Sequence, residues 1–122
     1  MNQSINQSIN HIQQALFSSW SLQSSSKWSV ENPAKGQCGV TALVVNDLLG
    51  GEIYKTNCLG GWHFYNMIDG KAYDFTSSQF IAPILYQHIL SNREEAFADT
   101  NDVQYSYLKE EMKRHLLKTK HS

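Results

Sequence analysis

Three side chains in this sequence have the chemical types that a thiol nucleophile and its base require. They are Cys38, His63 and Asp74, which follow one another in that order. A thiolate can attack an acyl carbon, an imidazole can shuttle the proton, and a carboxylate can fix the tautomer of the imidazole. The three residues therefore predict a thiol-dependent hydrolase or acyltransferase that acts on an amide or ester of a peptide or small molecule.

The pattern of a β-hairpin predicts that His63 and Asp74 meet. Two strand-like segments, 62–68 and 71–75, flank an Asp-Gly dipeptide that is typical of two-residue hairpin turns. Pairing across that turn makes His63 and Asp74 diagonal neighbours on one face, with Cβ atoms about 7 Å apart. We therefore expect one imidazole nitrogen to bind Asp74 and the other to face Cys38.

A buried helix is expected to begin at Cys38. The run from Val40 to Leu49 is apolar nearly all round, which indicates burial, and Gly50-Gly51 is its stop signal. A thiol in the first turn lies at the positive end of the helix dipole, which favours the thiolate. We therefore expect the pKa of Cys38 to lie below the ordinary thiol value of about 8.5.

Acyl transfer also needs donors for the negative oxygen that develops in the transition state. The backbone N–H of Cys38 is one natural donor. Three side chains are candidates for the second: Asn32 six residues before the cysteine, Gln37 directly before it, and Trp28 through its indole N–H. Spacing favours Asn32 slightly, and a structural role stays open for each of the three.

The second cysteine, Cys58, leaves alternatives open. The two cysteines match no C-x-x-C metal signature, and no ligand spacing supports a zinc site made of Cys38, Cys58 and His63. A disulfide or a redox pair with Cys38 is conceivable, but a reducing compartment favours free thiols. The sequence therefore predicts neither a metal nor another cofactor.

Composition bounds the number of domains and the class of partner. The 122 residues include 10 Lys plus Arg and 11 Asp plus Glu, so the net charge is −1, and 41% are hydrophobic. This balance offers no argument for nucleic acid or an anionic membrane. No apolar run approaches the ~20 residues of a membrane helix, and the first residues lack a secretion-signal pattern. We expect one cytoplasmic domain over residues 1–122, frayed at 1–3 and 119–122.

Helical patterns occur near both ends of the chain. Apolar spacings of three and four predict an amphipathic helix over about 4–18 and another near the C-terminus. The residues that define them are Ile5, Ile9, Ile12 and Leu16 in the first, and Val103, Tyr107, Leu108 and Met112 in the second. Between them, 18–29 is a Ser-rich loop whose two tryptophans are expected to cap the core. Ser91 to Glu94 fits a capping box that opens a short helix.

The central part of the chain predicts a small antiparallel sheet. Residues 52–59 form a strand pattern ahead of the hairpin, whereas 80–90 are ambiguous. Together with the helices, these strands indicate an α+β domain. In it, a central buried helix that starts at Cys38 packs on the sheet and is flanked by N- and C-terminal helices.

Several segments resemble known families. Gly36-Gln37-Cys38 resembles the G-Q-C motif of transglutaminases, in which the cysteine also opens a helix, and His63 to Asn66 and Tyr73 to Thr76 resemble their H-x-W-N and D-x-T segments. Gly39 stands where that family has Trp, and the chain is short for a transglutaminase. This resemblance implies a papain/transglutaminase-like fold and acyl transfer.

A second resemblance spans about residues 20–110. It is carried by the strings Asn-Pro-Ala-x-Gly-Gln-Cys, Gly-Gly-Trp-His-Phe-Tyr-Asn and Asp-Phe-Thr-x-Ser-Gln-Phe, which resemble the small bacterial YunG-type proteins. Two readings from other classes stay open beside the enzyme: a non-catalytic module that keeps the fold and binds a ligand or protein in the cleft, and a redox thiol protein.

Overall fold

A computed structural model describes the backbone of residues 2–59 and 61–120 and the side chains of 8–59 and 61–117. The described chain is an α+β domain with four helices and one open antiparallel sheet. The helices are α1 (Asn2–Ser19), α2 (Cys38–Leu49), α3 (Arg93–Ala98) and α4 (Asp102–Lys120), and the strands are β1 (Glu52–Cys58), β2 (Gly61–Ile68), β3 (Lys71–Tyr73) and β4 (Ile89–Leu90). The frayed ends expected at 1–3 and 119–122 fall on residues whose side chains lie outside this description.

Helix α2 begins at Cys38, as the apolar run predicts, and its first two turns are enclosed by the rest of the fold. Residues 38–45 are all buried. The helix ends at Leu49, and Gly50 follows with φ 75°, a conformation that favours glycine. The expectation of burial all along the helix is wrong for its last turn, where Leu48 is 37% exposed, because the apolar run extends past the core.

Two apolar clusters hold α2 in place. The larger one joins α1, α2 and α4 and includes Leu16, Val44 and Met112. The smaller one joins α2 to the sheet and to α3 and includes Leu43 and Phe64. Because α2 contributes to both clusters, the position of its first turn is determined from several sides at once.

The sheet has the strand order β3-β2-β1-β4. The predicted hairpin register is confirmed, since Ile68 pairs with Lys71 and Asn66 with Tyr73. Asp69 has φ 52° and Gly70 φ 77°, and positive φ at both turn residues is the feature of a type I′ turn. Strand β3 nevertheless ends at Tyr73, so residue 74 lies just beyond it, and β4 lies within the segment that the sequence leaves ambiguous.

Helix α1 and the loop after it follow the sequence expectation. Ile12 and Leu16 are buried, and the side chain of Ile5 lies outside the described residues. Trp20 is buried and its indole N–H donates to Thr41 Oγ1 at 2.9 Å. The prediction that this tryptophan caps the core is therefore confirmed. Among the described helices, none is long and apolar enough to cross a membrane.

Two details of the C-terminal helices differ from the prediction. Asn92, not Ser91, is the N-cap of α3, and its side chain accepts from the Glu95 N–H at 2.8 Å. Val103 is 78% exposed whereas Leu108 is fully buried. Val103 lies in the first turn of α4, away from the apolar face that packs on α1 and α2, so its apolar character does not indicate burial.

Two leucines of α4 differ in burial, so we expect their replacement to lower the free energy of unfolding by unequal amounts. Leu108 is 0% and Leu117 56% exposed. We expect Leu108→Ala to lower the free energy of unfolding by about 2–5 kcal/mol, because it leaves a cavity in the core. Leu117→Ala should change it by less than ~0.5 kcal/mol. Urea unfolding followed by circular dichroism measures both, and equal losses would contradict this packing of α4.

Candidate active site

His63 and Asp74 are joined by a short hydrogen bond. Nε2 of the imidazole donates to Asp74 Oδ2 at 2.6 Å, and the His63 side chain is only 2% exposed. The contact that the hairpin register predicts is thereby confirmed. The other carboxylate oxygen, Oδ1, accepts from the backbone N–H of Thr76 at 3.2 Å and from its hydroxyl at 3.4 Å. Asp74 is therefore held from two sides and fixes the plane of the His63 ring.

Tyr86 is a further partner of Asp74 that the sequence analysis does not identify. Its hydroxyl donates to Asp74 Oδ2 at 2.6 Å. Burial, and then the hydrogen bond to Asp74, raise the pKa of Tyr86, so the hydroxyl keeps its proton and remains a donor. The rings of Phe80 and His63 form a T-shaped contact with 5.0 Å between centroids. Tyr86 lies within the 80–90 segment and Phe80 at its start, and the sequence of this segment has no clear periodicity.

Cys38 and His63 line the same cavity, which has a volume of about 220 Å³. Its other lining residues are Lys27, Lys35, Gly36, Cys58, Leu59, Gly61, Trp62, Gln79, Phe80 and Asp99. The second imidazole nitrogen of His63, Nδ1, is buried and has no hydrogen-bond partner within the described chain. The site thus combines a thiol, an imidazole with one unused nitrogen, and a carboxylate that orients the imidazole.

The carboxylate of Asp99 lies directly beside the thiol. Cys38 Sγ donates to Asp99 Oδ2 at 3.5 Å, and the backbone N–H of Gly39 donates to the same oxygen at 3.1 Å. Burial of Cys38, and then the charge of Asp99, raise the pKa of the thiol to about 12, although a backbone hydrogen bond from Phe64 lowers it. The expectation of a lowered pKa is therefore wrong, because burial and this carboxylate outweigh the helix dipole.

Gly39 explains how Asp99 comes so close to the start of α2. A Cβ at position 39 would lie 2.6 Å from Asp99 Oδ2 and 2.8 Å from the backbone oxygen of Ala96. Any larger side chain would push the end of α3 away. Position 39 therefore has no space for a larger residue, because Asp99 and the backbone of Ala96 occupy that place.

The three predicted oxyanion donors do not line the cavity that contains the thiol. The amide of Asn32 donates to the Gln79 backbone oxygen at 3.1 Å, and that of Gln37, which is buried, to the Pro33 backbone oxygen at 3.4 Å. The indole N–H of Trp28 is buried without a partner in the described chain. Asn32 thus holds the turn that brings Gln79 to the cavity, and an oxyanion role remains a prediction for each of the three.

Cys58 also lines the cavity, and both cysteines are free thiols. Free thiols are what the sequence favours, whereas the position of Cys58 in the cavity lining is not predicted from it. Among the described residues, no group of three or more His, Cys, Asp or Glu side chains could hold a metal ion.

Two comparisons with known proteins point to one family. The family model described as YunG protein matches residues 8–117. A relative from Bacillus subtilis (strain 168), named "Uncharacterized protein YunG", is 59% identical over 106 residues, which cover 87% of this chain and 92% of the relative. No solved structure matches the chain.

The raised pKa of Cys38 predicts that alkali destabilises the protein. The thiol ionises at its ordinary value of 9.0 in the unfolded chain and at about 12 in the folded one. The stabilisation is fully present below 9.0 and is lost as the pH rises toward 12. Relative to Cys38→Ser, the parent should lose up to ~1.4 kcal/mol of unfolding free energy per pH unit in that window.

Urea unfolding between pH 8 and 11 measures this difference. Both proteins should carry Cys58→Ser, so that Cys38 is their one difference in thiols. Parallel pH profiles for the two proteins would contradict the raised pKa.

Proposed function

The chain belongs to the YunG family, as its sequence resemblance predicts, and from the geometry of its site we propose that it is a thiol-dependent hydrolase or acyltransferase. Its substrate is an amide or ester, Cys38 is the nucleophile, His63 the base and Asp74 the residue that orients the base. One observation carries the proposal. The buried His63 uses Nε2 for Asp74 and keeps Nδ1 without a hydrogen-bond partner in the described chain, and His63 and Cys38 line the same cavity.

The first step is a proton transfer coupled to attack, because the resting thiol is neutral. Nδ1 of His63 accepts the proton of Cys38 while the sulfur forms a bond to the acyl carbon. The tetrahedral intermediate then expels the amine or alcohol, and His63 donates to this leaving group the proton that it took from Cys38. The resulting thioester on Cys38 is resolved by water in hydrolysis, or by an acceptor nucleophile in transfer.

Asp74 supports this step through the imidazole. Its carboxylate accepts from Nε2–H, which leaves the lone pair on Nδ1, and it stabilises the imidazolium after proton transfer. Thr76 and Tyr86 saturate the remaining positions of that carboxylate. Because Asp74 is held so firmly, the base needs little reorganisation when its charge changes, which is the general advantage of a preorganised site.

We also propose that the domain is a small version of the papain/transglutaminase-like fold. Two features support this: the cysteine opens the central helix, and the histidine and aspartate come from a hairpin packed on it. The end of α3 takes the place of the bulky residue after the nucleophile. The two free cysteines fit a reducing compartment such as the cytoplasm.

The size of the cavity supports a small acyl group. Its volume of about 220 Å³ lies below the ~300–1,000 Å³ of sites that enclose drug-sized ligands. At its mouth, Leu59 is 92% and Trp62 48% exposed, and these side chains offer apolar contacts to whatever is attached to the acyl group. We therefore propose that a short acyl chain or one side chain enters the cavity while the rest of the substrate lies outside.

A binding module that keeps the cavity is the second candidate, and the protonated, buried thiol favours it. In that case the cavity would hold a small ligand, and Cys38 would act through packing as a small apolar side chain. The two candidates differ in one observable, the formation of a covalent acyl adduct on Cys38.

Acyl-adduct formation tests the proposed function. Incubation with p-nitrophenyl esters and with a library of peptide amides should release product and add an acyl mass to Cys38, as seen by intact and peptide mass spectrometry. Cys38→Ala should abolish both signals, and His63→Ala should do so because the neutral thiol loses its base. Cys58→Ser should retain them. Acylation that persists at the same rate in His63→Ala would contradict the proposal.

Asp74→Asn is the sharper variant, because it keeps size and shape but favours the wrong tautomer of His63. In a Ser-His-Asp site such a change costs about 10⁴ in turnover, and a neutral thiol that needs its base should lose about 10²–10⁴. Asp69→Asn in the exposed turn of the same hairpin is the matched control and should leave turnover unchanged. An Asp74→Asn variant that is as active as this control would rule out the assigned role of Asp74.

A further inference from the structure

Asp99 makes contacts that the proposed catalytic step does not use. Helix α2 has Gln37 at its N-cap, and that side chain makes no cap hydrogen bond. Asp99, which follows α3, supplies the missing acceptor, because its Oδ2 binds the Gly39 N–H at 3.1 Å. The same oxygen accepts the thiol proton of Cys38 at 3.5 Å. One carboxylate oxygen thus joins the start of the helix to the nucleophile.

This placement is built into the fold. The space that a Cβ at position 39 would fill is taken by Asp99 and by the backbone of Ala96. The carboxylate therefore lies beside the thiol and next to the first amides of α2. Negative charge is stabilised at such a helix terminus, and in this structure Asp99 already provides it.

The charged and titratable groups around Cys38 come from every side of the cavity. Strand β2 contributes His63, with Asp74 behind it, and β1 contributes Cys58. The loop before α2 contributes Lys27 and Lys35, and the segment after α3 contributes Asp99. Of the two carboxylates, Asp99 alone touches the sulfur.

A second cavity adjoins the first and shares Asp99 as a wall. Its volume is about 260 Å³, and it is lined mainly by polar side chains. Ser25, Lys27, Asp99 and Gln104 are among the residues around it. The carboxylate of Asp99 therefore has a polar space to enter when it leaves Cys38, and Lys27, which lines both cavities, offers it a positive charge there.

We propose that Asp99 is an autoinhibitory residue that keeps the Cys38 thiol protonated and covers the N-terminal amide of α2 until an acyl substrate displaces it into the second cavity. The inference rests on the proposed function, because it takes the displacing molecule to be an acyl substrate. The effect of Asp99 on the thiol does not depend on catalysis. In the resting protein the negative charge of Asp99 disfavours a thiolate on Cys38. Its carboxylate oxygen also occupies the Gly39 N–H, so that this amide is not available to an acyl oxygen. When Asp99 swings away, the repulsion ends and the amide becomes available to the acyl oxygen.

Thiol alkylation measures this effect without any acyl substrate. Iodoacetamide forms a thioether with the sulfur and releases iodide, and its rate follows the thiolate fraction. The rate at Cys38 is measured from pH 6 to 11 in the full chain carrying Cys58→Ser, with the site identified by mass spectrometry. The variants are Asp99→Asn, Asp99→Glu and, as a matched control at the exposed start of α4, Asp102→Asn.

Asp99→Asn removes the charge and keeps an acceptor for the Gly39 N–H. We expect its alkylation profile to move to lower pH by at least about one unit, which is about a tenfold faster reaction near pH 8. Asp99→Glu keeps the charge and should stay close to the parent, as should Asp102→Asn. If Asp99→Asn does not fold, as judged by circular dichroism, Asp99→Ser is measured in its place with the same expectation.

Two outcomes would overturn the inference. One is a neutral variant, Asp99→Asn or Asp99→Ser, with the pH profile of the parent. The other is an equal acceleration by Asp99→Asn and Asp99→Glu, because a merely structural loosening would not depend on charge. Should Asp99→Asn shift the profile while neither protein forms an acyl adduct, the proposed catalysis fails and the effect of Asp99 on the protonation of Cys38 stands.

Discussion

The rest of this structure depends on the start of α2. There the helix backbone and the Cys38 thiol meet two elements that are distant in sequence, the β2–β3 hairpin and the end of α3. The first two turns of the helix are buried, and their N-terminal end has no cap from its own N-cap residue. A buried backbone amide without an acceptor costs free energy, and Asp99 supplies that acceptor for Gly39 from 60 positions along the chain. The need to cap a buried helix therefore brings a carboxylate to the Cys38 thiol.

Two carboxylates consequently act on the site in opposite directions. Asp74 binds the imidazole of His63 and would offset a positive charge on it, whereas Asp99 binds the sulfur of Cys38, whose ionisation would create a second negative charge. A helix dipole is equivalent to about half a charge at its end. Burial of the thiol, and then the carboxylate charge of Asp99, outweigh this partial charge and raise the pKa of Cys38, so the thiol stays neutral in the resting protein.

The predictable part of the site is the local part. The His63–Asp74 contact follows from the type I′ turn and a period of two, both of which involve neighbouring residues. The start and the buried face of α2 likewise follow from its apolar run. Asp99 and Tyr86 could not be found this way, because they reach the site through tertiary packing from segments with no clear pattern. The prediction of a lowered Cys38 pKa is wrong because it considers the helix dipole and leaves out the burial of the thiol and the charge of Asp99.

Gly39 is a signal in the sequence whose meaning becomes clear only from the structure. A glycine directly after the cysteine permits close approach of another backbone, yet sequence does not say which segment approaches. The structure supplies Ala96 and Asp99. The glycine, the uncapped helix start and the carboxylate are therefore one arrangement. A larger residue at 39 would expel Asp99, leave the amide without its acceptor and free the thiol from its negative neighbour, so packing and thiol ionisation cannot be changed independently at this position.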